Sequence, residues 1–235
     1  MYLVPIGDIH LGSTAFGQRG REKLSGYLDW IAHTPHARFC LMGDIFDVAT
    51  RHSATPPFES NSAEYKTAVQ LFAPYAKKCL FAIRGNHCQR LLDFAGYDVM
   101  EQFCNALGVP YLGLSAVVHF DVGKEDYTGY FHHSTGGGGT VGGALNRAVK
   151  LQDIVQGVDF YCIGHNHNLA TAPRVVYHPN KFGTALEERC VWFVDCGSYL
   201  DYPESYAELK MLAPGKLGSP RIRLDGKRHD IHVSL

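Results

Sequence analysis

Aspartate, asparagine and histidine recur in this chain directly after short apolar runs, and together such side chains can hold divalent cations. Gly7-Asp8-Ile9-His10 follows Leu3 to Ile6, and Gly43-Asp44-Ile45-Phe46-Asp47 follows Phe39 to Met42. Gly85-Asn86-His87 comes after Cys79 to Ile83, and His132-His133 after Thr128 to Phe131. The last cluster, Gly164-His165-Asn166-His167, follows Phe160 to Ile163. A glycine at four of these exits lets the backbone bend where a side chain would clash. With 13 histidines, a chance pair at any one spacing is expected roughly 0.7 times. No single cluster therefore decides anything; their recurrence in one layout does.

The elements that must position these side chains are short buried strands. In an open α/β sheet the carboxyl ends of the strands face one crevice, so the five turns can converge there. Leu24, Leu28 and Ile31 mark one amphipathic helix. Tyr65, Val69 and Phe72 mark another, with Ser62 as its expected N-cap. A third helix is expected from Asp98 to Leu107, ended by Gly108 and Pro110, and a fourth from about Ala144 to Val155, stopping at Gly157. Further strands are expected near Ala116 to Phe120, Val191 to Val194, Arg221 to Leu224 and Asp230 to Val233. This order predicts an α/β (α+β) chain of two packed sheets with helices outside, residues 1–235 forming one domain. Gly136 to Gly139 with Gly142-Gly143 reads either as a flexible loop or as backbone that approaches a phosphate closely.

Composition sets the outer bounds. At 235 residues, 46% hydrophobic and 19% charged, the chain is long enough for a full core and is not of a disordered type. A net charge of −1 gives no global pull toward nucleic acid or an anionic membrane. Seven cysteines, an odd number without a CxxC pair and often within apolar runs, suit a reduced compartment. The stretch Met1 to Asp8 has no basic region and reaches a charge too soon for a signal peptide. No apolar run approaches the ~20 residues of a membrane span, so no membrane partner and a cytoplasmic location are expected.

In order, the clusters read D-x-H, GD-x-x-D, GN-H, a histidine turn and GH-x-H, and this series resembles the signature of the calcineurin-like metallophosphoesterase superfamily. Asp195-Cys196-Gly197-Ser198 is similar to that family's Asn-Pro-Gly-Ser turn. The resemblance spans Asp8 to about Ser198. It implies a four-layer αββα sandwich, two mixed sheets flanked by helices, and a centre of two divalent metal ions. By position, one metal falls to Asp8, His10, Asp44 and His167, and the other to Asp44, Asn86, His132 and His165. A shared Asp44 reduces the repulsion between two cations held about 3.5–4 Å apart. The implied reaction is hydrolysis of a phosphate ester by a two-metal-activated hydroxide. Oxygen and imidazole ligands without thiolate suit Mn first, with Fe or Zn as alternatives.

His132 is the expected ligand because relatives with tandem histidines use the first; His133 is then a group behind the ligands, a substrate contact or a loop residue. His87 matches the family histidine that binds phosphate or protonates the leaving oxygen, work suited to an imidazole with a pKa of about 6.5. Cys88 stands where an acidic residue is common, so Asp47 or another acid has to orient His87 if it acts at full strength. Asp47 reads as orienting a ligand or as capping a turn. Arg84 and Arg90 flank Asn86-His87 and read either as phosphate clamps or as solvated arginines.

The ester itself is less legible. A phosphodiester, with nucleic acid as leading substrate and partner, draws on Lys216, Arg221, Arg223, Lys227 and Arg228, and on tyrosines 97, 127, 130, 199, 202 and 206. The alternation in Arg221-Ile222-Arg223-Leu224 fits a solvated strand face equally well. The alternatives are a phosphomonoesterase for a small metabolite or phosphoprotein, and a binding module without turnover.

Overall fold

The computed structural model describes residues 1–49, 60–135, 140–203, 205–209, 211 and 213–235. Gly136 to Gly139, read above as a loop near a phosphate, lie outside the described residues. Three parallel strands open the chain: β1 (Tyr2–Ile6), β2 (Ala37–Leu41) and β3 (Cys79–Ala82). Helix α1 (Gln18–His33) links the first two, and α2 (Asn61–Phe72) precedes the third. Two helices follow, α3 (Asn86–Ala95) and α4 (Val99–Leu107). The second sheet begins with β4 (Ser115–Val122) and β5 (Glu125–His132), and after α5 (Val141–Lys150) comes β6 (Phe160–Ile163). The long pair β7 (Leu169–Pro179) and β8 (Leu186–Cys196) completes it. The last two strands, β9 (Arg221–Leu224) and β10 (Ile231–Ser234), return to the first sheet.

One sheet has the order β10-β9-β1-β2-β3 and the other β4-β5-β6-β8-β7. Both are mixed: β5, β6 and β8 run parallel, while β4 and β7 are antiparallel edges. Alternation along the strands explains the packing. In β1, Leu3 faces the layer between the sheets, whereas Val4 and Ile6 face the helices. Leu24, Leu28 and Ile31 of α1, Phe72 of α2 and Phe103 of α4 cover the outer face of the first sheet. Met42, Phe81, Phe131, Phe160 and Val194 fill the space between the sheets. On the far side, Ala148 of α5 and Leu151 cover Tyr130, Tyr161 and Phe193. The result is the expected sandwich of helices, two sheets and helix.

Local departures from expectation have local causes. Ser60, not Ser62, caps α2, its Oγ accepting the Ala63 N–H at 3.3 Å. Helix α5 starts three residues before Ala144, because Thr140 Oγ1 accepts the Gly143 N–H at 3.1 Å. Gly142 and Gly143 therefore lie in its first turn, and beyond Lys150 the chain tightens into a short 3₁₀ turn. Six of the seven cysteines are buried, as small apolar residues in the core would be. Among the described residues no helix is long and apolar enough to cross a membrane.

Candidate metal centre

The parallel strands β1, β2 and β3 of one sheet and β5 and β6 of the other end at one pole, and each exit carries one of the clusters. Backbone bonds lace the first two turns together: Asp8 N–H donates to Gly43 O at 3.2 Å, and Ile9 and His10 N–H donate to Asp44 O at 2.9 and 3.0 Å. Glycine is required at the GN-H exit. A Cβ on Gly85 would lie 2.1 Å from Asp44 Oδ1, so only a bare backbone leaves that carboxylate room. Asp44 Oδ1 instead accepts the His87 N–H at 3.0 Å, and Asp8 Oδ2 accepts the His165 N–H at 2.9 Å.

Three overlapping groups of side chains come together: Asp8, His10 and His167; His10, Asp44 and His87; Asp44, His133 and His165. Between Asp8 and the imidazoles, His167 Nε2 lies 3.3 Å and His10 Nε2 3.9 Å from Oδ1. Around Asp44 Oδ2, His133 Nε2 is at 3.1 Å, and the Nε2 atoms of His10 and His87 are at 3.9 Å. Asn86 Oδ1 joins through His133 Nε2 at 3.0 Å. Asp8, Asp44, His10 and His133 are buried, whereas the His167 side chain is 38% exposed, so the cluster opens to solvent on that side.

Here the structure corrects one expectation. His133, not His132, is brought to Asp44. The cause is the period of two along β5: Phe131 faces the space between the sheets, Tyr130 faces α5, and the residue that regains the inner side is His133. His133 Nδ1–H donates to the Met42 carbonyl at 2.7 Å, which turns Nε2 toward Asp44. His132 Nδ1 accepts the Ser134 N–H at 2.7 Å and so closes a local turn.

The other candidates sort clearly. Asp47 Oδ1 lies 3.3 Å from His10 Nδ1, leaving His10 Nε2 for the cluster. His87 Nδ1–H donates to the Asp47 backbone carbonyl at 2.6 Å. Cys88 faces away into the core and leaves the orientation of His87 to the Asp47 loop. Arg84 is ion-paired with Asp98, which also accepts the Tyr111 hydroxyl at 2.7 Å, so its guanidinium is already engaged rather than solvated. Arg90, one turn along α3 from His87, is close enough for its charge to act on Asp47 and His87. Asp195 sits behind the GH-x-H turn, its Oδ2 accepting Asn166 Nδ2–H at 3.0 Å. Of the basic group, Lys216 adjoins Gly215, whose Cβ would lie 3.0 Å from His167 O. Arg221 instead stacks over Trp30, with 4.2 Å to the ring, and Arg223 pairs with Asp230 at 3.1 Å. Lys227 and Arg228 follow β9, which runs antiparallel to β1, and so lie at the pole opposite Asp8. Tyr127, Tyr130 and Tyr199 are core residues, not stacking surfaces.

The electrostatics are those of crowded opposite charges. Burial opposes ionisation of Asp8 and Asp44, yet the surrounding imidazoles hold both carboxyls well below their usual range. Burial disfavours the charged form of His10, but Asp47, Asp8 and Asp44 raise its pKa to about 10. His133 behaves likewise, burial being outweighed by Asp44, and reaches about 9. For His87 burial and the neighbouring His10 prevail, and its pKa falls to about 4. Asp195 is pushed well up by burial.

Does this set fit divalent cations? Among the described residues, Asp8 Oδ1 and Asp44 Oδ2 are buried and meet no donor in hydrogen-bonding geometry, although buried carboxylate oxygens are normally satisfied. These same two oxygens face the imidazole nitrogens at 3.1–3.9 Å. Neighbouring ligands on one cation, each about 2.0–2.2 Å from it, stand about 3–3.6 Å apart. Asp8, His10, Asp44, His165 and His167 also share a left-handed backbone, with φ between 47° and 70°. A run of such conformations outside glycine is costly and gathers at functional sites. The donors fit.

No family model matches the sequence, and no curated protein does. The chain is similar in structure to several solved proteins. A predicted phosphoesterase from Streptococcus pneumoniae is 10% identical, with 99% of this chain and 87% of that one covered and a TM-score of 0.41. A metallophosphoesterase from Sphaerobacter thermophilus is 11% identical, with 100% and 89% covered and a TM-score of 0.45. GAP50, the anchor in the inner membrane complex of Plasmodium, is 11% identical, with 99% and 87% covered and a TM-score of 0.40. At such identities and TM-scores, the chemistry has to be read from this chain's own residues.

Proposed function

We propose that the chain is a metal-dependent phosphoesterase of the calcineurin-like type, with a phosphodiester as its substrate. One observation carries the reading: two buried carboxylate oxygens on Asp8 and Asp44, which among the described residues meet no donor in hydrogen-bonding geometry, face a ring of imidazole nitrogens. Asp8, His10 and His167 would hold one cation and Asn86, His133 and His165 the other, with Asp44 between them. Bound there, two divalent cations supply positive charge for the phosphoryl oxygens and acidify a water molecule. Mn is the first choice and Fe or Zn the alternatives, by donor type.

The remaining work falls to the protein. Asp47 and the Met42 carbonyl fix the rings of His10 and His133 from behind, so that each presents Nε2 inward. His87 keeps its Nδ1 proton on the Asp47 carbonyl and, with a pKa of about 4, is neutral near pH 7, so its Nε2 takes up a proton before it can pass one to a leaving oxygen. The partial exposure of His167 leaves the cluster reachable by an ester carried on a larger molecule.

A second reading has its own support. Arg90 places a guanidinium near Asp47 and His87, and a terminal phosphate with two negative charges gains more from it than a diester does. Turnover of bis-p-nitrophenyl phosphate against p-nitrophenyl phosphate, with Mn²⁺ added, separates the two. Preference for the diester supports the first reading and preference for the monoester the second. A protein that takes up metal but turns over neither is a binding module.

A further inference from the structure

Glu64 is a charged residue buried where a helix should be apolar. It lies on the same face of α2 as Ala68 and Phe72, and only 1% of it is exposed. A carboxylate taken from water onto that stripe is costly unless bonded. Its Oε2 accepts the Val48 N–H at 3.1 Å, and its Oε1 occupies the place of the missing side chain of Gly12, where a Cβ would come within 2.1 Å. Gly12 follows the D-x-H turn and Val48 follows the GD-x-x-D turn. Those turns are also tied to each other, since Leu11 N–H donates to Ile45 O at 2.8 Å and Asp47 N–H to Leu11 O at 2.9 Å. Val48 is itself unusual, a β-branched residue with φ of 46°, a conformation that persists only when its surroundings hold it.

The bond to Val48 matters because of what the same peptide unit does on its other side. The N–H of Val48 and the C=O of Asp47 are opposite ends of one planar trans peptide. Glu64 receives the N–H end, and the C=O end accepts His87 Nδ1–H at 2.6 Å. We propose that Glu64 is a positioning residue for His87, acting through the Asp47–Val48 peptide alongside the Asp47 carboxylate, whose Oδ1 lies 3.4 Å from the same His87 nitrogen. A carboxylate on the N–H polarises the peptide, makes its carbonyl a stronger acceptor and so holds the imidazole in one tautomer and one orientation. Glu64 touches neither His87 nor the substrate. The inference deepens the proposed function, which gives His87 its place beside the cations, and it stands on the two hydrogen bonds of that one peptide.

The test reads His87 directly, in metal-free protein labelled with ¹⁵N-histidine, where the Nδ1–H resonance is identified by its loss in His87→Asn. The wild type is expected to show this proton downfield and slow to exchange with water. Glu64→Ala, or Glu64→Asp with its shorter reach, should speed that exchange about 10-fold and move the resonance upfield. Glu64→Gln, which keeps an oxygen for the Val48 N–H, should retain slow exchange with a smaller upfield shift. Exchange in both Ala and Asp variants within about twofold of wild type overturns the proposal. Should the alanine variant fail to fold, Glu64→Asp against Glu64→Gln decides it, and equal exchange in those two overturns it. A merely structural Glu64 lowers Tm but leaves the His87 proton where it was. No substrate or metal is involved, so absence of esterase turnover in the wild type sinks the proposed function and not this measurement.

Discussion

Replacing His133 with alanine removes an imidazole that is 3% exposed and 3.1 Å from Asp44 Oδ2. Losing a partner that merely orients a ligand weakens metal binding about 10–100-fold, so losing a direct ligand should reach at least the upper figure. At a metal concentration about 100 times the wild-type Kd, binding stabilises the fold by about 2.7 kcal/mol; after a 100-fold loss of affinity it gives only about 0.4 kcal/mol. For a chain of this size about 1 kcal/mol moves Tm by about 2–4 °C. Mn²⁺ should therefore raise the wild-type Tm by about 5–11 °C and that of His133→Ala by no more than about 2 °C. His132→Ala loses only a local bond to the Ser134 N–H, worth about 1 kcal/mol, and should keep the full metal-dependent shift. Calorimetric scans with and without metal, together with metal content by elemental analysis, measure both. A normal metal response in His133→Ala alongside a lost one in His132→Ala would refute the geometric reasoning.

Four further outcomes follow from the same geometry. His10 and His133, with pKa values of about 10 and 9, are protonated at pH 7 without metal, so metal uptake should release about two protons. Titration calorimetry in buffers of different ionisation enthalpy counts them. Because both values lie above the unfolded pKa of about 6.5, these histidines stabilise the metal-free fold fully below that pH, and the benefit should fade as pH rises toward 9–10, which Tm against pH reports. Arg84→Met leaves Asp98 with only the Tyr111 hydroxyl and the first N–H groups of α4 as partners and should cost about 1.5–3 kcal/mol in urea unfolding, with kcat/KM of the folded protein unchanged. Gly85→Ala drives a methyl group into Asp44 Oδ1 and should lower kcat about 100-fold or more on a chromogenic ester while the circular dichroism spectrum stays that of the wild type.

The sequence was most legible where one signal acted alone. The buried runs around Val4, Phe39 and Cys162 are strands because they are apolar on both faces, and the clusters behind them converge because parallel strands share an end. His133 was equally within reach, since counting by twos from Phe131 leads to it; the family habit of using the first of two histidines pointed the other way. Helix α3 was legible too, since Cys88, Leu91, Leu92 and Ala95 recur at helical spacing, although only Cys88 of that stripe is buried. Strand β7 was hidden because Pro173 interrupts it and Pro173, Arg174 and Val175 are all exposed, so alternation returns only from Val175 to Pro179. Glu64 could not be read at all, because a glutamate in a helix looks solvated until its neighbours in space are known. The basic residues near the C-terminus stayed open between a nucleic-acid contact and a solvated face, because a polar and apolar alternation says nothing about which end of a sheet it occupies.

The division of the cluster between the two sheets has a consequence for how the molecule is made. Asp8, His10, Asp44 and Asn86 come from the first 86 residues, and His133, His165 and His167 from the last 103. A nascent chain stopped midway owns the carboxylates together with His10 and His87 but lacks the three imidazoles of the second half, and is left with negative charge only partly relieved at a pocket still open to water. Only when the second layer docks does the pole acquire its counterweight. Ion capture then acts like a rivet driven after the plates are aligned, and a chelator draws out the rivet while the hydrophobic layer between the plates keeps them together.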